Sequence, residues 1–420
     1  MKTVDATKFH KLYGVKRQRI TYHNKDFLDY VIMILMSAAL IRFAYGANHA
    51  VSIIGWVLCA FMVATFPMRH GVQFRTPLIL TRPQDILYSL IHKLQNIKPA
   101  YFVAIGVLIL ENYIIVLTPR LPHNVELAHT IALCLFWGHF ILMSSYRTAI
   151  LISHLVKKEH VREVLMQSTT WRSKLERQPR ISLEILHAYF TGLLTHIVFL
   201  VPWYLVITYF NFSLILFPAT CLAAFVIQRY NLKTYNDWFY RDHWLGHNSE
   251  FDFVYLHGTH HDAIPCALIG VAGNGYLEGF FRGTLAFPIP FYNPLLAAFV
   301  YTTDVKVDMD LHQYIPGIFP KLTREFYGVI QHSLHHYGRV EPYGFAINLD
   351  QPISDDIKKR TKALPDELKY SIKLDQQLTG YEWDNARFRW FLELVDKYQN
   401  PPPHPSNTAP VKSTPAHRAE

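Results

Sequence analysis

The chain has 420 residues, of which 50% are hydrophobic, 15% are aromatic and only 17% are charged, and its formal net charge is +9. This composition excludes an ordinary soluble domain, because the apolar residues are gathered into long blocks rather than spaced along one helix face. The positive charge requires no nucleic-acid partner, since the distribution of basic residues among the loops accounts for it.

Six apolar blocks approach the length of about 20 residues that crosses the hydrocarbon core of a bilayer. They are Leu28–Tyr45, Ala50–Phe66, Ala100–Thr118, Leu127–Leu151, Leu186–Phe210 and Phe212–Gln228. Charged residues interrupt three of these blocks: Asp29 and Arg42 the first, Glu111 the third and Arg147 the fourth. We therefore predict an all-α, multi-pass transmembrane helix bundle with about six spans.

Lysine and arginine are concentrated in alternate loops, which predicts the orientation of the chain. The basic residues of the N-terminal segment and of the loops after spans two and four are Lys2, Lys8, Lys11, Lys16, Arg17, Arg19, Lys25, Arg69, Arg75, Arg82, Lys93, Lys98, Lys157, Lys158, Arg162, Arg172, Lys174, Arg177 and Arg180. The opposite loops contribute only Arg120. The N-terminus and the residues after Gln228 are therefore predicted to be cytoplasmic.

Composition divides the chain into four regions. Residues 1–180 alternate spans with basic loops, and residues 181–348 carry the last spans and most of the informative histidines. Residues 349–400 are polar with apolar positions near helical spacing, which predicts a cytoplasmic helical cap. Residues 401–420 are rich in proline and small polar residues, which predicts disorder. The four cysteines have no paired spacing, so we expect neither a disulfide framework nor a sulfur-ligated metal.

Three histidine boxes lie between His243 and His336. The first is His243-Trp-Leu-Gly-His247, whose two imidazoles share one face if the segment is helical. The second holds His257, His260 and His261, and the third repeats that spacing with His332, His335 and His336, while His312 stands between them. Eight boxed imidazoles and an optional ninth are enough to hold two metal ions.

A single histidine pair at this spacing is more often a surface or core feature than a metal ligand. The joint occurrence of three boxes, all predicted on one side of the bilayer, favours a metal centre. The run His123, Glu126 and His129 contains a Glu-x-x-His element found in carboxylate di-iron bundles, but it lies near the opposite face. We interpret it as a polar loop and span end.

The order HxxxH, nine residues, HxxHH, a separate histidine and HxxHH resembles the fatty acid hydroxylase/sterol desaturase superfamily of integral-membrane di-iron oxidases. The resemblance covers about a quarter of the chain, from Asn231 to Gly344. It implies that the metal ligands are His243, His247, His257, His260, His261, His312, His332, His335 and His336, with no catalytic residue beyond them. Family members often have Asn or His at the position of Asp308, so this residue is expected to act in the second shell or through water.

The resemblance also implies two iron ions, O2 as co-substrate and a membrane lipid as substrate. Hydroxylation and desaturation of a fatty acyl chain, a sterol or a related lipid both remain open, as does the oligomeric state. The sequence has no reductase or haem motif, so electrons are expected from a separate ferredoxin- or cytochrome-type donor. A zinc-dependent membrane hydrolase and a histidine-rich metal transporter are the alternative functions.

The third box can join the others only if the intervening chain crosses the bilayer an even number of times. The apolar segment Thr284–Thr303 contains Pro288, Pro290 and Pro294, which interrupt a helix. We therefore predict a re-entrant or short two-leg hairpin, together with Ile269–Phe281, that returns to the cytoplasmic side. A single kinked span would separate the third box from the other two.

Overall fold

The computed structural model describes residues 27–72, 74–95, 97, 99–167, 172, 175–176, 180–262, 266–270, 275–281, 293–313, 315–321, 336 and 397. These residues are predominantly helical, and none of them forms a β-strand. The predicted cap (349–400, apart from the single residue 397) and the predicted disordered tail (401–420) lie outside the described residues.

Among the described residues, nine helices with defined bounds extend to the middle of the chain. They are α1 (Phe27–Tyr45), α2 (Ala50–His70), α3 (Leu78–Thr81), α4 (Pro83–Gln95), α5 (Pro99–Leu117), α6 (Val125–Val156), α7 (Lys158–Met166), α8 (Ile181–Phe199) and α9 (Val201–Tyr209). Pro202 near the start of α9 interrupts the helical hydrogen bonding after Phe199, which separates α8 from α9.

The remaining helices surround the histidine boxes. They are α10 (Phe217–Asn248), α11 (Glu250–Asp252), a π-helix (Phe253–His257), α12 (Gly258–Asp262), a 3₁₀ turn (Cys266–Leu268), α13 (Tyr276–Phe281) and α14 (Pro294–Leu311). Residues from both the N-terminal and the histidine-bearing regions contribute to one continuous hydrophobic core.

Five helical segments are long and apolar enough to cross a membrane: α1, α2, α5, α6 and the pair α8–α9. Their outer faces expose large apolar side chains, as expected for helices in lipid. Examples are Leu35, Phe43, Val57, Phe102 and Ile141, each more than 50% exposed. The helical class predicted from the sequence is found in the described residues, and five of the six predicted spans coincide with these candidate spans.

The sixth predicted span, Phe212–Gln228, remains a prediction. Helix α10 begins only at Phe217 and continues without a break to Asn248, so that its apolar beginning and the polar first histidine box belong to one 32-residue helix. It is not among the five segments that satisfy the criteria of length and hydropathy within the described residues.

Two of the charged residues that interrupt the predicted spans, Arg147 and Glu111, have partners inside the bundle. Nε and Nη2 of Arg147, which is fully buried, donate to the main-chain oxygens of Leu268 and Gly270. Oε1 of Glu111 accepts from the main-chain nitrogen of Ser213 at 2.9 Å. Because unpaired polar groups are costly in hydrocarbon, these contacts explain how charged side chains are tolerated there.

Contacts between helices define two ends of the bundle. Arg69, near the end of α2, pairs with Glu184 in the first turn of α8 at 2.8 Å. We call the end where α2 and α6 finish and α8 begins the basic end, because it carries the loops rich in lysine and arginine. At the opposite end, Ser213 precedes α10 and its Oγ lies 2.8 Å from Nδ1 of His123. Helix α10 therefore starts away from the basic end and its histidines lie at the basic end.

Helix α14 runs parallel to α6. Thr302 contacts His139 at 2.8 Å and Asp310 accepts from Tyr146 at 2.7 Å, so the positions advance together toward the basic end. Helix α13 runs the other way, because Gly275 approaches Leu256 of the histidine region whereas Gly279 approaches Phe199 at the far end of α8. The two helices thus run in opposite directions. Residues 282–292 between them lie outside the described residues, and the predicted hairpin remains a prediction.

Pro294 lies at a helix boundary, where the apolar segment was predicted to be interrupted. It is the first residue of α14. Proline is favoured at that position because the first turn needs no donor from its nitrogen. Oδ1 of Asn293 accepts from the main-chain nitrogen of Leu296 at 2.9 Å and caps the same helix.

Candidate metal centre

Four imidazoles converge at the basic end to form the first histidine group. His243 and His247 come from the last turns of α10, His257 from the π-helix and His261 from α12. Successive Nε2 atoms lie 3.2 Å apart for His243 and His247, 3.1 Å for His247 and His257, and 3.1 Å for His257 and His261. Their candidate ligand atoms all lie within 4.8 Å of one another.

The second histidine group contains His260, His312 and His336, all of them buried. Nε2 of His260 lies 3.2 Å from Nε2 of His312, and the rings of His260 and His336 have centroids 4.6 Å apart. The two groups adjoin, because the rings of His261 and His336 are stacked with centroids 4.4 Å apart. Seven of the nine predicted ligands are therefore in one place, and the remaining two, His332 and His335, lie outside the described residues.

The second histidine box is divided between the two groups. His257 and His261, four residues apart, point into the first group, whereas His260 points into the second. The π-helix ends at His257, and such wider turns occur mostly as single insertions at functional sites. The segment His257–His261 thus contributes to both groups and joins them. The spacing of the boxes alone does not predict this division.

Gly246 allows the first and second boxes to approach each other. A Cβ atom at this position would lie 3.0 Å from both Cβ and Cγ of His257. That separation is shorter than nearly all real contacts of this kind, so a larger residue would force His257 away from α10. Gly246 is thus required by packing within the HxxxH box.

Hydrogen bonds fix the protonation of two of these imidazoles. Nδ1 of His257 lies 3.1 Å from Oε2 of Glu278, and Nδ1 of His312 lies 2.7 Å from the main-chain oxygen of Asp308. A carboxylate and a carbonyl oxygen accept hydrogen bonds, so each Nδ1 carries the proton. The Nε2 atoms of His257 and His312 consequently keep the lone pairs that they direct into the groups.

The side chain of Asp308 occupies a secondary position. Its Oδ2 lies 3.5 Å from Nδ1 of His312, farther away than its own main-chain oxygen. Asp308 is thus not a member of either histidine group, and its expected action beside His312 or through water remains a prediction. Asp308 belongs to the last turn of α14, and it lies four residues before His312, which follows the end of that helix.

The donor sets fit divalent transition-metal ions. Two imidazole nitrogens bound at about 2.0–2.1 Å to one ion lie about 2.8–3.4 Å apart for angles between octahedral and tetrahedral values. The Nε2 separations of 3.1–3.2 Å between neighbouring imidazoles fall in this range. Burial lowers the pKa of His260 and of His261 well below the ordinary value. Neutral imidazoles at physiological pH are the form that binds metal.

Glu278 was not identified from the sequence. It is 2% exposed and also accepts from the main-chain nitrogen of Gly275 at 3.3 Å. The available signal was an acidic residue within the apolar segment Tyr276–Phe281, which belongs to the first part of the predicted hairpin. Its partner His257 is 21 residues away, and this pairing depends on the packing of α13 against the π-helix.

Residues of the first two spans hold the second box from both sides. Tyr255 in the π-helix donates to Oδ1 of Asp29 in α1 at 2.6 Å. Asp262, directly after His261, accepts from Arg69 at 2.8 Å and lies 3.0 Å from Nε2 of His70. The N-terminal spans therefore contact the segment that carries the second box, although His70 was not among the predicted site residues and Asp29 was noted only as an interruption of a span.

Two other histidine features are explained without metal. His139 and His196 have Nε2 atoms 2.9 Å apart, but Nη1 of Arg147 lies 3.5 Å from Nδ1 of His196. This cationic neighbour favours a chain of hydrogen bonds over a bound cation. His123 contacts Thr118 and Ser213 and joins loops at the end opposite the basic one, in line with the predicted polar loop.

Comparison with known proteins identifies no relative. No family model matches the chain, and neither a curated protein nor a solved structure is significantly similar to it.

Proposed function

We propose that this protein is a membrane-bound, O2-dependent lipid oxidase with two iron ions held by the histidine boxes. The observation that carries the proposal is the convergence of seven imidazoles into two adjoining groups at one end of an apolar helix bundle. The resemblance of the box spacing to fatty acid hydroxylases and sterol desaturases supports iron over other metals, because imidazole ligands alone do not distinguish them.

When bound, the iron ions would supply the reduction of O2 and the oxidation of an unactivated C–H bond. In hydroxylation, one oxygen atom enters the C–H bond and the other leaves as water, with two electrons and two protons taken up. In desaturation, two hydrogens leave the substrate and both oxygen atoms become water, again with two electrons and two protons. Both reactions use the same reductant and fit the same donor set.

The protein contributes the orientation and protonation of the ligands. Glu278 and the main-chain oxygen of Asp308 hold protons on the Nδ1 atoms of His257 and His312, which leaves each Nε2 available. His243, His257 and His260 are each 1% exposed, so the first ligand shell is largely shielded from bulk water. A dry, apolar surrounding suits a lipid substrate and limits side reactions with water.

Electrons come from a separate ferredoxin- or cytochrome-type partner. The exposed basic residues at the histidine-bearing end, among them Arg82, Lys157 and Lys158, provide a positive surface that attracts an acidic donor. By the distribution of lysine and arginine in the sequence, this end faces the cytoplasm.

Lipid profiling tests the proposed reaction. Cells that produce the chain are expected to accumulate a hydroxylated or unsaturated lipid that is absent from cells producing His260→Ala at the same level. Incorporation of label from ¹⁸O2 into the new lipid would identify hydroxylation. Purified protein that contains zinc and no iron, with unchanged lipids in cells, would instead favour the hydrolase alternative.

A further inference from the structure

Helix α4 has two faces of opposite character. Ser89 and Lys93 are only 4% and 8% exposed, whereas Leu87, Leu90 and Leu94 are about half exposed, at 54%, 49% and 55%. The spacing of three and four residues places these leucines on one stripe of the helix, beside but distinct from the face of the buried polar pair. A stripe of leucines in contact with water is unfavourable, so this face needs an apolar partner.

The buried face of α4 contacts the segments that carry the histidine boxes. Ser89 donates to Oδ1 of Asp252 at 2.7 Å, and Nζ of Lys93 donates to Oδ1 of Asp242 at 2.8 Å. Asp242 directly precedes His243, and Asp252 directly precedes the π-helix. Helix α4 is therefore attached to the flanks of both the first and the second box.

The ends of α4 determine its height relative to the membrane. The segment that contains it connects the end of α2 at His70 to the start of α5 at Pro99, and both of those helices are candidate spans. Apolar residues continue from the helix toward α2, because Phe74 and Leu80, which both precede α4, are each 69% exposed. The leucine stripe thus adjoins exposed apolar side chains on the side of α2.

We propose that α4 lies in the membrane–water interface, with its leucine stripe among the acyl chains just below the headgroups. Amphipathic helices of this kind bury their apolar face about 5–10 Å into the boundary. Arg82, directly before the helix and half exposed, is placed to contact headgroup phosphates. The partner is the phospholipid leaflet at the basic end, and this assignment does not depend on the reaction that the metal centre performs.

Fluorescence quenching in nanodiscs tests the position of α4. An environment-sensitive fluorophore is attached to Leu90→Cys or, as a matched control, to Glu159→Cys on the exposed surface of α7, after replacement of the native cysteines. Leu90→Cys is expected to be quenched strongly by shallow nitroxide-labelled lipids and weakly by aqueous iodide, with the reverse at Glu159→Cys. Equal iodide quenching at both positions would overturn the proposal.

A second measurement avoids the replacement of native cysteines. A photo-crosslinking amino acid at position 90 of the otherwise unchanged chain, in native membranes, is expected to form adducts with phospholipid. Crosslinks to another protein or to a second copy of the chain, without lipid adducts, would show that a protein surface covers the stripe. That outcome would contradict the interfacial position of α4.

Discussion

Glu278 is placed to control the protonation of a proposed metal ligand. Its Oε2 accepts from Nδ1 of His257, and the amide of a glutamine would weaken or reverse that polarity. We expect Glu278→Gln to lower metal affinity by about 10- to 100-fold, the usual effect of losing an outer-shell partner. Chelator competition on purified protein measures this change, and Glu159→Gln, at an exposed position, serves as the control.

The effect of a substitution at Asp308 on metal affinity can be compared with that of Glu278→Gln. Since the main-chain oxygen already accepts from His312 at 2.7 Å and the carboxylate lies at 3.5 Å, Asp308→Ala leaves the stronger contact in place. Its effect on metal affinity should be smaller than that of Glu278→Gln. A larger loss in Asp308→Ala would mean that its carboxylate, rather than its carbonyl, orients His312.

The sequence predicted which histidines would converge but not their hydrogen-bond partners. Histidine spacing is a local property, so the seven described histidines of the two groups could be identified by counting along the chain. Glu278 and Asp29 contact residues 21 and 226 positions away, and such contacts follow from the packing of helices. The charged residues within spans were the one sequence signal that pointed to them, because burial of a charge requires a partner.

At the scale of helices, the closest approach of α10 to the π-helix depends on Gly246. Gly246→Ala introduces a Cβ at 3.0 Å from His257 and should displace that ring. Overpacking of this kind costs about 1–3 kcal/mol, and we expect reduced metal occupancy together with lower stability. Gly138→Ala in α6, where a Cβ meets nothing within 4 Å, is the matched control and should bind metal normally. Equal metal content in the two variants would contradict this packing argument.

The hairpin as a topology remains a prediction. A shared metal centre requires an even number of crossings, and the opposite directions of α13 and α14 are consistent with that requirement. The prolines alone did not distinguish a break from a helix start, since Pro294 serves as the latter with Asn293 as its cap. The division of the second box between two groups depends on the π-helix, for which the sequence has no simple periodic signal.

Across the whole molecule, the N-terminal spans are joined to the histidine-bearing region by a buried ion pair network. Arg69 is 1% exposed and contacts both Glu184 and Asp262. Arg69→Met leaves two carboxylates without their cation, a change that typically costs about 3–5 kcal/mol. Arg82→Met, at a 51% exposed position paired with Glu250, should cost less than about 1 kcal/mol. Thermal unfolding in nanodiscs measures the loss of stability in each variant. Equal losses would contradict the claim that the buried ion pairs stabilise the protein more than the exposed one.

The orientation of the molecule is a separate prediction. Lys321 and Glu159 are exposed at the histidine-bearing end, and Arg120 is exposed at the other end. Single cysteines at Lys321 and Glu159 should react with an impermeant maleimide only from the cytoplasmic side, and a cysteine at Arg120 only from the opposite side. Reaction of Lys321→Cys from the same side as Arg120→Cys would mean that α14 does not return to the basic end.

The most direct test of the central claim is the metal content of the purified chain and of single-histidine variants. Protein purified without added zinc should contain two iron ions per chain, as expected for the two histidine groups. His257→Ala and His260→Ala, one from each group, should each lower the iron content, whereas His49→Ala, which caps α2, should not. Iron at background level in the unaltered chain, or equal iron in all three variants, would contradict a dinuclear centre built from these boxes.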